Sequence, residues 1–92
     1  MHKSIIHDLD GDTCFICGRH GAMEKHHCWH GSNRKWADRD GLIVNLCRDC
    51  HRALHDHGTM DKELMGVAES RWLDYYGRST GEFIGRYGKN VL

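Results

Sequence analysis

The spacing of apolar residues changes along the chain, from a pattern typical of strands to one typical of helices. The run LIVNL at residues 42–46 is aliphatic and β-branched, which predicts a buried strand. The stretch AMEKHHCWH at residues 22–30 fits an earlier strand. The segment between them, GSNRKWADRDG, is rich in Gly, Ser, Asn and Asp and predicts a polar loop. Together these segments predict a β-hairpin.

Beyond the second strand, apolar residues recur every three or four positions, which predicts helices. The segment CRDCHRALHDHG at residues 47–58 is typical of a helix that ends at Gly58. A longer helix is predicted after it, with Thr59 or Asp61 as its cap and Gly77 at its end. Its apolar stripe consists of Leu64, Val67, Ala68, Trp72 and Tyr75.

A short last helix is predicted from Ser79 onwards, because Ser79 and Glu82 have the spacing of a capping box. Its apolar residues are Phe83, Ile84 and Tyr87. We expect both C-terminal helices to serve packing rather than chemistry.

The composition describes one small folded domain. The chain has 92 residues, of which 39% are hydrophobic and 28% charged, with no Pro and a formal net charge of zero. Such a domain buries too small a core to be stable without a disulfide, a metal or a partner. The start, MHKSIIHDLDGD, has no apolar run of signal-peptide length, and no segment approaches the roughly 20 apolar residues of a membrane span. We therefore expect a cytoplasmic protein with no membrane partner.

Two CxxC pairs, in CFICG and LCRDC, are the candidates for that extra stabilisation. In a reducing compartment such pairs are more often a zinc site than disulfides, and each two-residue spacer lets both sulfurs reach one tetrahedral Zn²⁺. The predicted structural zinc ligands are Cys14, Cys17, Cys47 and Cys50. The alternative is two independent redox or buried pairs. Cys28 is expected to be a small buried hydrophobe on the first strand, with a ligand role as the alternative.

The motif EKHHCWHG places His26 and His27 side by side between the cysteine pairs. His51 and His55 are four residues apart on the predicted helix, so both imidazoles leave one face and can hold one ion. If the hairpin places the first strand beside this helix, one paired histidine can complete a metal site while its neighbour faces the opposite way. A set of His26, His51 and His55 would leave coordination positions open, which marks a catalytic site.

His27 would then be the general base, because a neutral imidazole can take a proton from water near neutral pH. The remaining histidines that lack an obvious partner are expected on the surface. They include His2, His7, His20 and His57.

The order of these motifs resembles the HNH endonucleases of the ββα-metal (His-Me finger) superfamily, in the zinc-braced form with four cysteines. The segments EKHHCWHGSNRK, DGLIVNLCRDCH and FIGRYGKNVL are similar to small HNH-type proteins of phages and prophages, and to phage recombination-associated nucleases. The resemblance covers residues 14–92. It implies a small α+β fold: a ββα-metal finger at residues 13–58 braced by a four-cysteine zinc site, then two helices at 59–92. Residues 1–12 would be a loosely ordered lead-in to this single domain.

The resemblance also implies an activity, metal-dependent hydrolysis of DNA phosphodiester bonds in phage DNA processing or recombination. One divalent cation, Mg²⁺ or another such as Mn²⁺, Ni²⁺ or Zn²⁺, would be held by His26, His51 and His55. His27 would deprotonate the attacking water, and the products would carry 5′-phosphate and 3′-hydroxyl ends. The protein would act on DNA in the cytoplasm of a phage-infected or bacterial host cell.

The chain departs from the HNH pattern at its middle residue. The family's Asn is expected near the start of the second strand, where this chain has Asp40 and Gly41. Asn45 lies a few residues later and Asn33 lies in the loop, so either could take its place. A backbone carbonyl could also hold the tautomer of His27.

A net charge of zero gives no overall signature of nucleic-acid binding. Local charges near the predicted site are candidates for phosphate contacts, and the alternative is that they are ordinary solvated surface charges. The candidate residues are Arg34, Lys35, Arg48 and Arg52, with Arg39 beside them. Trp29 and Trp36 bracket the predicted loop, and we expect them to pin it to the domain rather than to stack on bases.

Two other functional classes are compatible with these residues. One is a zinc-braced nucleic-acid-binding module without turnover, and the other is a structural protein whose histidines hold a second Zn²⁺ in a closed site. Only catalysis needs an imidazole beside the metal but outside its ligand set. A chain of this size makes few contacts, so recognition of a long DNA sequence would need a homodimer or another partner.

Overall fold

The structure is a computed structural model that describes residues 4–92; residues 1–3, with His2 and the start of the predicted lead-in, lie outside the described residues. Within residues 4–92 the chain forms a two-stranded antiparallel sheet and four α-helices. The elements are β1 (Glu24–His27), a short 3-10 helix (Gly31–Asn33), α1 (Arg34–Asp40), β2 (Ile43–Leu46), α2 (Arg48–His57), α3 (Asp61–Tyr76) and α4 (Thr80–Tyr87). This is the small α+β fold that the sequence predicts. Among these helices, none has the length and apolar character needed to cross a membrane.

The predicted hairpin is formed by β1 and β2. In its register His26 lies opposite Val44, and His27 lies opposite Ile43. All of β2 is buried, because its aliphatic residues face the core on one side and the chain's other segments cover the rest. The Cys28 N–H donates to the Leu42 carbonyl just beyond the last strand pair (2.9 Å). The two histidines of β1 are therefore held in a defined register against a buried strand.

The segment between the strands was predicted to be a polar loop, and that prediction is wrong. It contains a 3-10 turn and the two-turn helix α1. Ala37 is fully buried, so α1 is stabilised by packing against the core. The turn-forming residues of the segment gave no indication of that contact. Gly41 ends α1 in the left-handed conformation (φ 80°), which a residue without a Cβ adopts at little cost.

The C-terminal helices α3 and α4 pack on the hairpin through aromatic side chains. Trp29 lies edge-on to Phe83 with their ring centroids 5.1 Å apart, and Phe83 is also 5.1 Å from Trp72. The Trp29 indole N–H donates to the Met65 carbonyl (3.3 Å), so this tryptophan does pin its segment to the domain. The core residues of this cluster are almost fully buried.

The ends of these helices only partly follow the sequence prediction. The capping box of Ser79 and Glu82 is present at α4. For α3, neither predicted cap is used; the N-cap is Met60 in a left-handed conformation (φ 65°). Gly77 ends α3 as predicted, but Tyr75 is 66% exposed and does not belong to the buried stripe.

The lead-in at residues 4–12 contains no helix or strand, but it is hydrogen-bonded to β2 and to Gly41 just before that strand. The Ile5 N–H donates to the Gly41 carbonyl (3.0 Å). The Asn45 side-chain amide faces backbone carbonyls of the lead-in, the nearest being Leu9 at 3.2 Å. The Asn45 backbone N–H donates to Nδ1 of His7 (3.2 Å). His7, expected on the surface, is therefore partly buried against the strand.

Asp40, at the end of α1, joins α1 to both C-terminal helices. Its carboxylate accepts hydrogen bonds from the Trp72 indole (2.9 Å), the Tyr87 hydroxyl (2.7 Å) and two nitrogens of Arg86 (2.6 and 2.7 Å). Burial and the bond to Asp40 raise the pKa of Tyr87, so the phenol keeps its proton and acts as the donor. The Asp40 side chain is 9% exposed, and its charge is paired with Arg86, which offsets the cost of burying it.

Replacing Asp40 with Ala is expected to destabilise the fold by about 3 kcal/mol, because Arg86 and two aromatic donors lose their common acceptor. Chemical denaturation of the zinc-loaded protein measures this change. Asp74→Ala, at an exposed carboxylate of α3, is the matched control and should change the free energy of unfolding by less than about 0.5 kcal/mol. Equal effects of the two substitutions would contradict the role given to Asp40.

Candidate functional site

Two chain segments bring the cysteines together. Cys14 and Cys17 lie in a turn closed by a bridge between Thr13 and His20, and the Gly18 N–H donates to the Cys14 carbonyl (3.0 Å). Cys47 is the N-cap of α2, and Cys50 follows in the first turn of that helix. The two turns therefore meet at the junction of β2 and α2.

The sulfurs of Cys14, Cys17, Cys47 and Cys50 all lie within 4.8 Å of one another. The Sγ atoms of Cys17 and Cys47 are 3.8 Å apart. Two thiolates on one tetrahedral Zn²⁺, each about 2.3 Å from the ion, would be separated by about 3.8 Å, whereas a disulfide bond is about 2.05 Å long. The cluster can thus hold a metal ion such as zinc, as predicted.

Electrostatics in the cluster favour a bound cation. Burial raises the pKa of Cys14, but backbone amides of Cys17, Cys47 and Ile16 donate to its sulfur and lower the pKa to about 6 overall. The pKa of Cys50 is raised by burial and by its hydrogen bonds to the other cysteines. One thiolate therefore forms readily, and its negative charge disfavours ionisation of the neighbouring thiols. A bound divalent cation offsets that repulsion and allows the other cysteines to ionise as well.

Cys28 has a different environment. It is fully buried in the core, and burial raises the pKa of its thiol to about 12. A metal ligand must be a thiolate, so this environment supports the structural interpretation of Cys28 over a ligand role. It lies just past the end of β1 rather than on the strand itself.

A second cluster lies where β1 meets α2, and it contains His26, His51 and His55. One ring nitrogen of each lies within 4.8 Å of those of the other two. The Nε2 atoms of His51 and His55 are 3.0 Å apart, as expected for helix positions four residues apart. The ring centroid of His26 is 5.2 Å from that of His51. The structure therefore brings together the three histidines that the sequence predicts as ligands.

Glu24, on β1, orients His51. Its Oε1 lies 2.8 Å from Nδ1 of His51, and this hydrogen bond lowers the pKa of Glu24, which stays ionised. Nδ1 then carries the proton, and Nε2 presents a lone pair towards His55. A carboxylate behind a histidine in this way is typical of metal-ligating imidazoles.

His26 is the buried member of the histidine cluster, at 3% exposure. Burial, followed by the nearby histidines, lowers its pKa to about 4, so its ring is neutral at physiological pH. Its Nε2 atom is buried without a hydrogen-bond partner among the described residues. A buried polar atom in that state costs free energy, and a bound cation would satisfy it.

His27 diverges from His26, as expected for neighbours on a strand. Its Nε2 lies 3.0 Å from Oδ1 of Asp38 on α1. Both paired histidines line a pocket of about 190 Å³. The lining residues of this pocket are Lys25, His26, His27, His30, Arg34, His51 and His55.

His30 also lies at this pocket, and sequence reasoning missed it. Its Nε2 is 2.6 Å from Oδ1 of Asp61 at the start of α3, and its ring centroid is 5.2 Å from that of His26. His30 belongs to no helix or strand, so no periodic pattern in the sequence marks it. Its partner Asp61 is 31 residues further along the chain. The concentration of histidines in HHCWHG was the only signal available.

The basic residues predicted to contact phosphates lie in two places: some at the histidine pocket or next to it, and others on exposed helix surfaces. Arg34 lines the histidine pocket, and Lys35 lies with Arg34 at a neighbouring depression that His27 and Asp38 also line. Arg48 and Arg52 are exposed on α2 and act electrostatically on Glu24. Arg39 is exposed on α1, with its guanidinium over the Trp36 ring (5.5 Å).

Both candidate replacements for the HNH asparagine have other roles here. The Asn45 amide faces the lead-in, and the Asn33 amide donates to the Tyr87 carbonyl (2.8 Å). Asp40 holds α3 and α4. The carboxylate at His27 comes instead from Asp38, in the helix that the sequence did not predict.

Comparisons of the chain with protein-family models, with curated proteins and with solved structures found no significant match. The assignment of a function therefore rests on the geometry of the two clusters.

Removing metal from the cysteine cluster is expected to unfold the domain, because the ion supplies free energy that the small core lacks. Treatment with a strong chelator should abolish the helical circular dichroism signal, and adding Zn²⁺ should restore it. Elemental analysis should show that Cys47→Ser loses the tightly bound metal and that Cys28→Ala keeps it. A helical spectrum that survives complete metal removal would contradict this role.

Proposed function

We propose that this protein is a metal-dependent endonuclease of the HNH type that hydrolyses DNA phosphodiester bonds, with β1, β2 and α2 as its ββα-metal unit. The observation that carries the proposal is the arrangement of four of the five histidines that line one pocket. Three of them have nitrogens close enough to share an ion, and the fourth, His27, lies at the same pocket outside that group. A closed structural site has no use for the fourth imidazole.

The residues that would hold the catalytic cation are His26, His51 and His55. Three imidazoles suit transition metals such as Ni²⁺ or Zn²⁺ better than Mg²⁺ or Mn²⁺, which prefer oxygen ligands. When bound, the cation supplies positive charge that stabilises the negative charge developing on the phosphate and the departing oxygen. Glu24 keeps the donor nitrogen of His51 turned towards that position.

His27 is the proposed general base, and Asp38 is proposed to position it. With Nε2 of His27 facing the Asp38 carboxylate, Nδ1 is the nitrogen that takes a proton from the attacking water. The carboxylate also stabilises the imidazolium that forms when the proton arrives. Asp38 would thus perform the orienting task that the middle Asn performs in related HNH sequences.

The proposed partner is DNA, which would be held by local positive charge. Arg34 at the pocket and Lys35 beside it can contact phosphates next to the scissile bond, while Arg48 and Arg52 offer further contacts along α2. Contacts to the backbone alone bind without sequence preference. Sequence recognition would therefore need a homodimer or another protein, in the setting of phage DNA processing or recombination.

Cleavage of supercoiled plasmid tests the proposal. Zinc-loaded protein supplied with Mn²⁺, Ni²⁺ or Mg²⁺ should nick the plasmid, and His27→Ala should reduce the rate by about 10²- to 10⁴-fold, the usual contribution of a general base. His20→Ala, at an exposed histidine that also pairs with a carboxylate, is the matched control and should cleave at the unsubstituted rate.

Equal cleavage by the unsubstituted protein and by folded His27→Ala would contradict His27 as the base. Absence of cleavage by the unsubstituted protein with every metal, on branched DNA as well as plasmid, would contradict the endonuclease proposal and favour a zinc-braced nucleic-acid-binding module.

Asp38→Ala is expected to lower kcat by about 10- to 100-fold, because His27 loses its orienting acceptor. Asp38→Asn should fall less, since its amide oxygen still accepts from Nε2. The affinity for DNA and for the catalytic cation should stay unchanged in both variants, which a general loss of structure would not allow. A loss of DNA affinity that matches the loss of rate would contradict the positioning role.

A further inference from the structure

The histidine cluster contains a second set of ligand atoms that the proposed catalysis does not use. His26, His30 and Asp61 have one donor atom each within 4.8 Å of the others. The two sets share only His26, which is the buried residue between them. His51 and His55 come from α2, whereas His30 precedes the 3-10 turn and Asp61 begins α3.

We propose that His26, His30 and Asp61 form a second divalent-cation position beside the three-histidine position. His26, the residue shared by both sets, has a buried Nε2 without a hydrogen-bond partner among the described residues, which is a sign that this part of the molecule takes a ligand. The side chains of His30 and Asp61 are 41% and 32% exposed, so an ion can reach them from solvent. The inference does not depend on the nuclease proposal, because it concerns metal binding alone.

The chemistry of this second position differs from that of the first. Two imidazoles and one carboxylate form a donor set that suits first-row cations such as Mn²⁺, Fe²⁺ and Co²⁺ and leaves other coordination positions open. The Asp61 carboxylate also adds a negative charge, which the three-histidine set lacks. The position therefore accepts a harder cation than three neutral imidazoles do.

Sharing His26 makes the two positions mutually exclusive for a fully ligated ion. One neutral imidazole offers one lone pair, so His26 completes one set of ligands at a time. We therefore expect one cation per chain in addition to the zinc of the cysteine cluster. Loss of the α2 histidines should leave that single cation at His26, His30 and Asp61.

Co²⁺ titration of zinc-loaded protein tests this inference, because visible absorption reports Co²⁺ bound to nitrogen and oxygen donors. His51→Ala/His55→Ala, checked for its fold by circular dichroism, should still bind one Co²⁺ per chain. If that pair fails to fold, His51→Gln/His55→Gln replaces it, because Gln favours helices and has similar volume. Adding His30→Ala to the pair should weaken Co²⁺ binding by about tenfold or more.

The matched control adds His20→Ala to the same double variant. His20 is also an exposed histidine beside a carboxylate, Asp12, but no third ligand accompanies it among the described residues. This triple variant should bind Co²⁺ with the same affinity as the double variant. The inference would be overturned if the folded double variant bound no Co²⁺, or if adding His30→Ala left its Co²⁺ binding unchanged. The contact between His30 and Asp61 would then be a plain ion pair.

Discussion

The approach of the two cysteine pairs is the contact on which the rest of the structure depends. It ties the turn at residues 14–17 to the junction between β2 and α2, where Cys47 caps the helix. His51 follows Cys50 directly, so the turn that presents that sulfur also sets the direction of His51. Structural zinc contributes an apparent free energy of about 10–16 kcal/mol in small domains, which matches or exceeds the whole stability of a typical domain.

Beyond that junction, carboxylates orient three of the histidines around the pocket, His27, His30 and His51. The strand sends His26 to the buried side and His27 towards α1. Glu24 turns His51, and Asp38 faces His27, so a different carboxylate orients each proposed role. The proposed metal ligand His26 and the proposed base His27 are thus neighbours on one strand but have different surroundings. His30 and Asp61 extend the same arrangement towards α3.

The elements with strong local signals were predictable from the sequence, and those that depend on distant contacts were not. β2, α2 and the capping box of α4 follow from aliphatic runs, a glycine stop and the Ser79–Glu82 spacing. Helix α1 was missed because burial of Ala37 outweighs its turn-forming residues. Asp38 beside His27 was missed with it. The pairing of His30 with Asp61 joins two segments whose approach only the packed α3 creates.

The most direct test of this account is a crystal structure of the zinc-loaded protein grown with Ni²⁺, which imidazole ligands suit, with the metals located by anomalous scattering. We expect one ion surrounded by the four cysteines and a second bound by His26, His51 and His55, with His27 beside that ion but not coordinated to it. A second ion that binds His27 directly, or no second ion at the three histidines, would contradict the proposed separation between ligand and base.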